Sequence, residues 1–371
     1  MEELILMNVM EVDDLIENGM AIRRRYLRPE DPFTLNDNTF KRIFRVPKEL
    51  AREVINILAD FLEAPSRRSA LHKETKVLVA LHFFATGSYQ LDIGYNTFSG
   101  ISQASVSRCI NEVTEVLNRP EIFNQWIRFP NTIEELRANR RSFFEKFHFP
   151  GVVGVIDGTH VAIVPPNQHD AQYPEHIYVN RKGYHSINTQ LVCDANMKIL
   201  NVNARFPGSV NDMYIWNHSI LKDTMTGISR QHPNEFYLLG DSGYALRPWL
   251  QIPLANPEPG PQEQYNQALI RTRCVIERCI GLLKMRFRCL LKHRVLHYKP
   301  TTASKIINAC AVLHNICVTN NIVAIHEDDH YPEIEIEIFN QIDEGGRERV
   351  NRELLAGRQL QQRIIHHYFE D

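Results

Sequence analysis

The spacing of apolar residues predicts a helical first part of the chain and, after residue 150, a mixture of strands and helices. Between 39 and 63 the apolar positions share one helical face, and between 73 and 118 they predict two helices joined by a short middle segment. The first of these two helices ends at Gly87, and Ser102 caps the second. This order of a helix, a bend and a capped helix is typical of a helix-turn-helix.

The capped helix has a polar face as well as an apolar one. Gln103, Ser107 and Arg108 lie on the polar face, where the second helix of a helix-turn-helix contacts DNA. The same pattern is typical of a three-helix bundle that only supports the next domain. Both interpretations stay open on the pattern alone, and the first makes these three residues candidate DNA contacts.

Two apolar runs of strand length each end in an aspartate. The run VVGVI precedes Asp157 and the run FYLLG precedes Asp241, while further strands are predicted at 187–193 and 199–204 and a long helix at 263–292. Strands followed by helices predict an α/β domain with a mixed sheet. A carboxylate at the C-terminal end of a strand faces the crevice in which such sheets bind their ligands.

These patterns divide the chain into three parts. We predict a helical N-terminal region at 1–145 with the helix-turn-helix at 73–118, an α/β domain at 146–320, and a last part at 321–371 that contains an acidic segment and a C-terminal helix. The segment 321–346 contains eight acidic residues and no Lys or Arg, which predicts disorder, and a helical pattern resumes after it.

Composition excludes some classes of protein and leaves others open. Apolar residues make up 43% of the 371 residues, enough for a sizeable core, and the net charge of −2 neither indicates nor excludes a nucleic-acid partner. The seven cysteines form no CxxC motif, which favours reduced thiols in an intracellular protein. The first residues lack the basic start and the apolar run of a signal peptide. The sequence contains no run of 18 apolar residues, so we predict no membrane partner.

A third candidate acid lies on the long helix. Glu277 is the only acid between 267 and 299, a segment that contains nine Lys and Arg residues. One interpretation is an ordinary ion pair with Arg273 or Lys284 on the same helix. The other is a metal ligand whose neighbouring cations bind phosphates, and helical spacing supports it by placing Arg273, Lys284 and Arg288 on the face of Glu277. We therefore predict these three cations as DNA contacts.

Carboxylates without nearby thiols or imidazoles suit Mg²⁺ or Mn²⁺. Two such ions about 3.5–4 Å apart stabilise the attacking and the leaving oxygen of a phosphodiester. Asp157, Asp241 and Glu277 are the predicted catalytic acids and metal ligands. Asp212, at the predicted start of a helix, is either a fourth ligand or the cap of that helix.

Four motifs in order show a family resemblance. GVIDGTHVAI, GYHSINTQLVCDANMKILNVNARFPGSVND, GDSGYALRPWL and RCVIERCIGLLKMRFRCL resemble the DDE nucleases of the PIF/Harbinger transposases, and especially the domesticated Harbinger transposase-derived nucleases of animals. Asp241 follows Asp157 by 84 residues and Glu277 follows Asp241 by 36, and the short second gap is typical of that family. The similarity covers roughly residues 40–318, including the helix-turn-helix segment.

The resemblance implies a ribonuclease-H-like catalytic domain with a mixed sheet, preceded by an all-helical helix-turn-helix region. It implies a divalent cation, Mg²⁺ or Mn²⁺, held by Asp157, Asp241 and Glu277, with Asp212 as a further acid beside the metal. It also implies a nuclease that hydrolyses DNA phosphodiester bonds without autonomous transposition. Such proteins are found in nucleus and cytoplasm and act with a separate Myb-like DNA-binding partner. The alternative is a DNA-binding or scaffold protein that keeps the transposase fold without catalysis.

Overall fold

The computed structural model describes residues 30–64, 70–96, 98–167, 171–322 and 352–370. The predictions for the first 29 residues, and for nearly all of the acidic segment 321–346, lie outside the described residues. Contacts within the chain divide it into two compact units, one up to Val116 and one from Leu117.

The first unit is helical. Its α-helices are α1 (Asp37–Phe44), α2 (Lys48–Ala59), α3 (Lys73–Thr86), α4 (Gln90–Tyr95) and α5 (Gln103–Leu117), after a 3-10 helix at Pro32–Thr34. Helix α3 packs against α1, α2 and α4. Two sequence signals are confirmed: Gly87, with φ of 63°, ends α3, and Ser102 Oγ accepts a hydrogen bond of 3.3 Å from the backbone N–H of Ser105 at the start of α5.

The second unit contains the sheet. Its strands are β1 (Val152–Ala162), β2 (Ser186–Cys193), β3 (Ile199–Pro207), β4 (Tyr237–Leu239) and β5 (Leu250–Gln251). Its α-helices are α6 (Pro120–Trp126), α7 (Ile133–Phe147), α8 (Asp212–Asn217), α9 (Ile220–Gln231), α10 (Pro261–Arg286), α11 (Pro300–Thr319) and α12 (Arg352–Tyr368). Two 3-10 helices are found at Glu175–Tyr178 and Arg288–Leu290.

The five strands form one mixed sheet, as the sequence predicts. Their order is β3-β2-β1-β4-β5, with β1, β2 and β3 antiparallel and β4 and β5 parallel to β1. Helices α10 and α11 pack against one face of the sheet. On the other face Ile156 and Val192 join an apolar cluster with Trp216 of α8 and Met225 of α9. The sheet is therefore covered by helices on both sides, which is a mixed α/β architecture.

The central strand is longer than its sequence predicts. The prediction ends the strand at Asp157, but β1 runs on to Ala162, because its antiparallel ladder with β2 continues through Asp157↔Leu191 and His160↔Asn188. Asp157 is therefore inside a strand on the β2 side. On the β4 side the pairing ends at Val155↔Leu239, so Asp157 lies just beyond it.

Other predicted boundaries shift in smaller ways. The helix predicted from Asn211 is two helices, and Ser219 Oγ caps the second by accepting from Lys222 N at 3.2 Å. The long helix ends at Arg286, six residues before its predicted end. Among the described residues, none of the helices combines the length and the hydropathy that crossing a membrane requires.

Candidate active site

The strand register places Asp157 and Asp241 at neighbouring positions. Strands β1 and β4 are parallel and pair at Val155↔Leu239, and each aspartate follows two residues later. The two acids therefore extend from the same edge of the sheet, where α/β proteins bind ligands. The charge of Asp241 raises the pKa of Asp157, although burial raises it more.

Helix α10 adds a glutamate and an arginine to this edge. Arg273 Nη2 lies 3.1 Å from Asp157 Oδ2 and 3.4 Å from Glu277 Oε1. The side chains of all three residues are mostly buried, with exposed fractions of 16% for Arg273, 17% for Asp157 and 18% for Glu277. The ion pair within the helix is thus present, and the same guanidinium connects Glu277 to the strand.

The charges in this cluster depend strongly on one another. Burial raises the pKa of Asp157 to about 7, the charge of Arg273 opposes the shift, and Asp241 and Asp212 add to it. Burial lowers the pKa of Arg273, but Asp157, Asp241 and Glu277 raise it overall. Three acids therefore share one internal cation. We call these four residues the acid–arginine cluster: Asp157, Asp241, Glu277 and Arg273.

Asp212 lies on the other face of β1. A Cβ atom added to Gly158 would be 2.2 Å from Asp212 Oδ1, so this carboxylate occupies the space in front of the glycine. Successive residues of a strand face opposite sides, so Gly158 faces away from the side to which Asp157 extends. Asn188 Nδ2 donates to Asp212 Oδ1 at 2.9 Å, and Gln190 Nε2 donates to the main-chain oxygen of Asp212 at 3.0 Å.

The structure also decides which residue caps α8. Asn211 is the cap, because its Oδ1 accepts from the backbone N–H of Tyr214 at 2.8 Å. Asp212 is the first residue of the helix. Burial raises its pKa, and the hydrogen bond from Asn188 opposes the shift. The predicted capping role of Asp212 is therefore wrong, and its role as a metal ligand stays a prediction.

The predicted DNA-binding cations of α10 have internal partners. Lys284 Nζ donates to Thr159 Oγ1 at 2.8 Å and to the main-chain oxygen of His160 at 2.9 Å, and burial lowers its pKa to about 8. Arg273 contacts the acids, and Arg288 follows the end of α10, in a 3-10 helix. Their contact with DNA stays a prediction.

The three candidate DNA contacts of the first unit are on α5. Gln103 and Arg108 are exposed and Ser107 is half-buried. Arg108 Nη2 donates to Ser105 Oγ at 2.9 Å, one turn earlier on the helix. Their contact with DNA also stays a prediction.

The acid–arginine cluster has the donor chemistry that a hard divalent cation requires. Its three acids offer only carboxylate oxygens, and the cation Arg273 already lies among them. Arg273 Nε is buried and has no hydrogen-bond partner among the described residues, so the guanidinium is not fully satisfied there. In the described parts of the chain, no three His, Cys, Asp or Glu side chains converge closely enough to hold a metal in this arrangement.

Sequence reasoning missed several polar side chains that hydrogen-bond near the site, two of them on β2. Asn188 and Gln190 bind Asp212, and Gln190 Nε2 also donates to the buried hydroxyl of Tyr244 at 3.0 Å. The signal was present: amides recur at every second position of a strand whose residues are all buried. Thr159 was missed because only its contact with Lys284, 125 residues away, gives it a role.

Comparison with known proteins identifies the family. A family model described as "DDE superfamily endonuclease" matches residues 156–315. The Mus musculus protein "Putative nuclease HARBI1" is 38% identical over 308 residues, which cover 81% of this chain and 84% of that protein. The chain belongs to the Harbinger-derived DDE superfamily endonucleases. The predicted resemblance is confirmed.

Two further relatives are less similar in sequence. The Xenopus laevis protein "Putative nuclease HARBI1" is 35% identical over 318 residues, 84% of this chain and 88% of that protein. The Arabidopsis thaliana "Protein ALP1-like" is 26% identical over 321 residues, 80% of this chain and 73% of that protein. No solved structure matches the chain. The segment matched by the endonuclease model contains Asp157, Asp212, Asp241 and Glu277.

Proposed function

We propose that this chain is a divalent-metal-dependent endonuclease that hydrolyses DNA phosphodiester bonds and does not transpose autonomously. The observation that carries the proposal is the acid–arginine cluster. Asp157 and Asp241 come from neighbouring parallel strands, Glu277 comes from the helix that covers them, and Asp157 and Glu277 contact one guanidinium. Membership of an endonuclease family supports the same conclusion.

Asp157, Asp241 and Glu277 would hold Mg²⁺ or Mn²⁺. When bound, the cation supplies Lewis-acid activation of water and stabilisation of the departing oxygen. The chain's own groups prepare the position. Asp157, with a pKa of about 7, has to lose its proton to accept the cation, and Arg273 limits repulsion among the acids until then. Lys284 hydrogen-bonds β1 and so fixes α10, with Glu277, against the strand of Asp157.

We also propose that the catalytic domain is ribonuclease-H-like and that α3, α4 and α5 form a DNA-binding helix-turn-helix. The strand order β3-β2-β1-β4-β5, with only β1, β4 and β5 parallel, supports the first proposal. The exposed Gln103 and Arg108 at the start of α5 support the second.

Cleavage of supercoiled plasmid tests the catalytic proposal. The wild-type chain should nick the plasmid with Mg²⁺ or Mn²⁺ and stop in EDTA. Glu277→Gln keeps the size of the side chain and removes its charge, so cleavage should be lost while the fold and DNA binding remain. Glu263→Gln is the matched control, because Glu263 is an exposed acid on the same helix. Equal cleavage by the Glu277 variant and the control would contradict the site.

The same assay separates the alternative function. A DNA-binding or scaffold protein would retain plasmid in a gel-shift experiment without cutting it under either metal. Isothermal titration with Mn²⁺ adds an independent measurement: binding that Glu277→Gln weakens supports a metal site even under conditions in which cleavage is slow.

The family resemblance further leads us to propose a Myb-like DNA-binding partner and a location in both nucleus and cytoplasm. Co-expression with a Myb-like protein encoded by the same organism, followed by size-exclusion chromatography, tests the first proposal. Imaging of a fluorescent fusion tests the second, and a signal confined to one compartment would contradict it.

A further inference from the structure

We infer that two exposed basic loops at the far end of β1 bind the phosphate backbone of the DNA duplex that flanks the cleavage point. This inference rests on the proposed function and names where the same site holds its substrate. We call this surface the basic platform and define it by five exposed residues: Arg181, Lys182, Lys292, His293 and Arg294.

Both loops are attached to the same strand. Beyond the end of β1, Ile163 N donates to His185 O at 3.0 Å and Val164 N donates to Leu296 O at 3.1 Å. Ile163 and Leu296 form a parallel bridge. The loop that ends at His185 and the loop that reaches Leu296 therefore flank one continuation of the central strand, and their basic residues belong to one surface.

The first loop is a rigid turn. Asn180 is only 4% exposed, and its Oδ1 accepts from Lys182 N at 2.9 Å. Asn180 N donates to Tyr184 O at 3.0 Å, which closes the turn around Gly183, whose φ of 78° favours glycine. Because the backbone is fixed, Arg181 and Lys182 are displayed without the ordering cost that a flexible loop would add on binding.

An aromatic contact joins the second loop to the first. Lys292 Nζ lies 4.8 Å from the centre of the Tyr184 ring, a cation–π geometry. The Tyr184 ring also stands at 76° to the ring of His160, with 6.5 Å between the ring centres. Since His160 belongs to β1, the platform is continuous with the strand that carries Asp157.

The five residues of the platform are all basic, and one acid, Glu175, borders the first loop with its Oε1 3.1 Å from His185 Nε2. The sequence has no acid from Arg278 to Pro300, and none from Ile177 to Ile187. Arg273 and Lys284, in contrast, contact internal groups. The five platform residues are exposed, and a polyanion is the partner that fits their charge.

Distance along the strand favours DNA among polyanions. Asp157 and Ile163 are six residues apart in an extended chain, which corresponds to about 20 Å. One DNA strand carries a phosphate about every 3.4 Å of duplex, so a duplex lying along β1 has about six phosphates between the acids and the platform. Arg181 also acts electrostatically on Asp212, the buried acid on the α8 side of β1.

Fluorescence anisotropy with a 30-base-pair duplex in EDTA tests the platform without cleavage. Lys292→Gln combined with Arg294→Gln should weaken binding at low salt by at least tenfold. It should also reduce the slope of log affinity against log salt by about 2, because each lost phosphate contact removes about 0.9. Arg141→Gln combined with Arg230→Gln is the matched control: both arginines are exposed, on α7 and α9, and the charge change is the same. The control should bind like the wild type.

A second pair of substitutions keeps the test decisive. Arg181→Gln with Lys182→Gln removes the cations of the other loop and should give the same loss, with thermal melts confirming that each variant is folded. Slopes equal to that of the control for both pairs would overturn the inference. So would a loss of binding to polyglutamate with unchanged DNA affinity, because the platform would then serve an acidic protein.

The outcome is separable from that of the proposed function. If the wild-type chain never cleaves plasmid but both platform variants lose DNA affinity, the platform stands and the nuclease proposal fails. If cleavage depends on Glu277 but the platform variants bind DNA normally, only the platform is wrong.

Discussion

The two faces of β1 hold their buried polar groups by different means. On the face toward α10, Asp157 and Glu277 contact one guanidinium, and Asp241 lies beside them. On the face toward α8, the carboxylate of Asp212 accepts from the neutral amide of Asn188. Both faces contain buried acids, but among the described residues an arginine lies within ion-pair distance of the acids only on the first face.

We expect this difference to separate a site in which a metal can replace the arginine from one in which the carboxylate keeps its internal hydrogen bond. We expect the acids held by an arginine at 3.1 and 3.4 Å to accept a metal when the guanidinium moves away, because the metal then neutralises the same carboxylate charges. An acid held by an amide donor has its hydrogen bond inside the fold and contributes to positioning α8. We therefore expect substitutions on the α10 face to change metal binding and catalysis, and those on the α8 face to change stability.

The largest expected effect is that of Arg273→Met. In EDTA it leaves Asp157 and Glu277 buried without their cation, which should lower the free energy of unfolding by about 3–5 kcal/mol. Saturating Mn²⁺ should recover more stability than it adds to the wild type. Arg271→Met, an exposed arginine on the same helix, is the control and should change stability by less than about 0.5 kcal/mol. Thermal or urea unfolding measures both, and equal losses would contradict the cluster.

Next in size is the contrast between Asp157→Asn and Asp212→Asn. We expect the first to slow plasmid cleavage by more than about 100-fold, at least the loss seen for groups that support a metal site, with little loss of stability in EDTA. The second should cost about 1–3 kcal/mol through its hydrogen bond with Asn188 and slow cleavage less. Equal loss of cleavage in both variants would instead make Asp212 a fourth ligand, as the resemblance implies, and would break the comparison between the faces.

Gly158→Ala is a smaller and purely structural test. The new Cβ would be 2.2 Å from Asp212 Oδ1, so the carboxylate has to move, at a cost of about 1–3 kcal/mol. Gly227→Ala is the control, because nothing lies within 4 Å of its Cβ position in α9, and it should stabilise the helix by roughly 0.5–1 kcal/mol. Urea unfolding of both variants distinguishes them. If Gly158→Ala is as stable as the wild type, Asp212 does not occupy the space in front of Gly158.

The last test is a pH dependence, which needs no substitution to be observed. Because the pKa of Asp157 is about 7 in the folded chain, the folded state keeps a proton that the unfolded state releases near pH 4. Stability in EDTA should therefore fall as pH rises from 4 to 7, by up to about 1.4 kcal/mol per pH unit for Asp157. Asp157→Asn should reduce this slope, and the raised pKa of Asp212 accounts for part of what remains. Mn²⁺ binding below pH 7 should release a proton, which titrations in two buffers of different ionisation enthalpy detect. Titrations without proton release would contradict the raised pKa.

Much of the candidate site was readable from local patterns. An apolar run followed by an acid marks Asp157 and Asp241, and a single glutamate among nine cations marks Glu277. The helix signals at Gly87 and Ser102 act within a few residues, and both appear where they were expected. Such features are local because capping and burial of a strand depend mainly on neighbouring residues.

The contacts that define the chemistry depend on distant segments. Arg273 meets Asp157 across 116 residues of sequence, and Lys284 meets Thr159 across 125. Helical spacing predicts that both cations face phosphates, because it places them on one side of α10 but does not indicate which part of the chain packs against that side. Only the docking of α10 on β1 shows that they contact the strand.

By itself, the sequence determined the α/β class, the mixed sheet and the family, and it predicted three acids as ligands of a hard cation. The tertiary structure decided how far β1 extends and therefore which acid belongs to which face. The physical reason is that side chains of a strand alternate, so the pairing of β1 with β2 through His160 places Asp157 and Gly158 on opposite sides. That pairing joins segments that are distant in sequence. The contact of Arg273 with the acids and the position of the basic loops at the end of β1 also depend on such long-range packing.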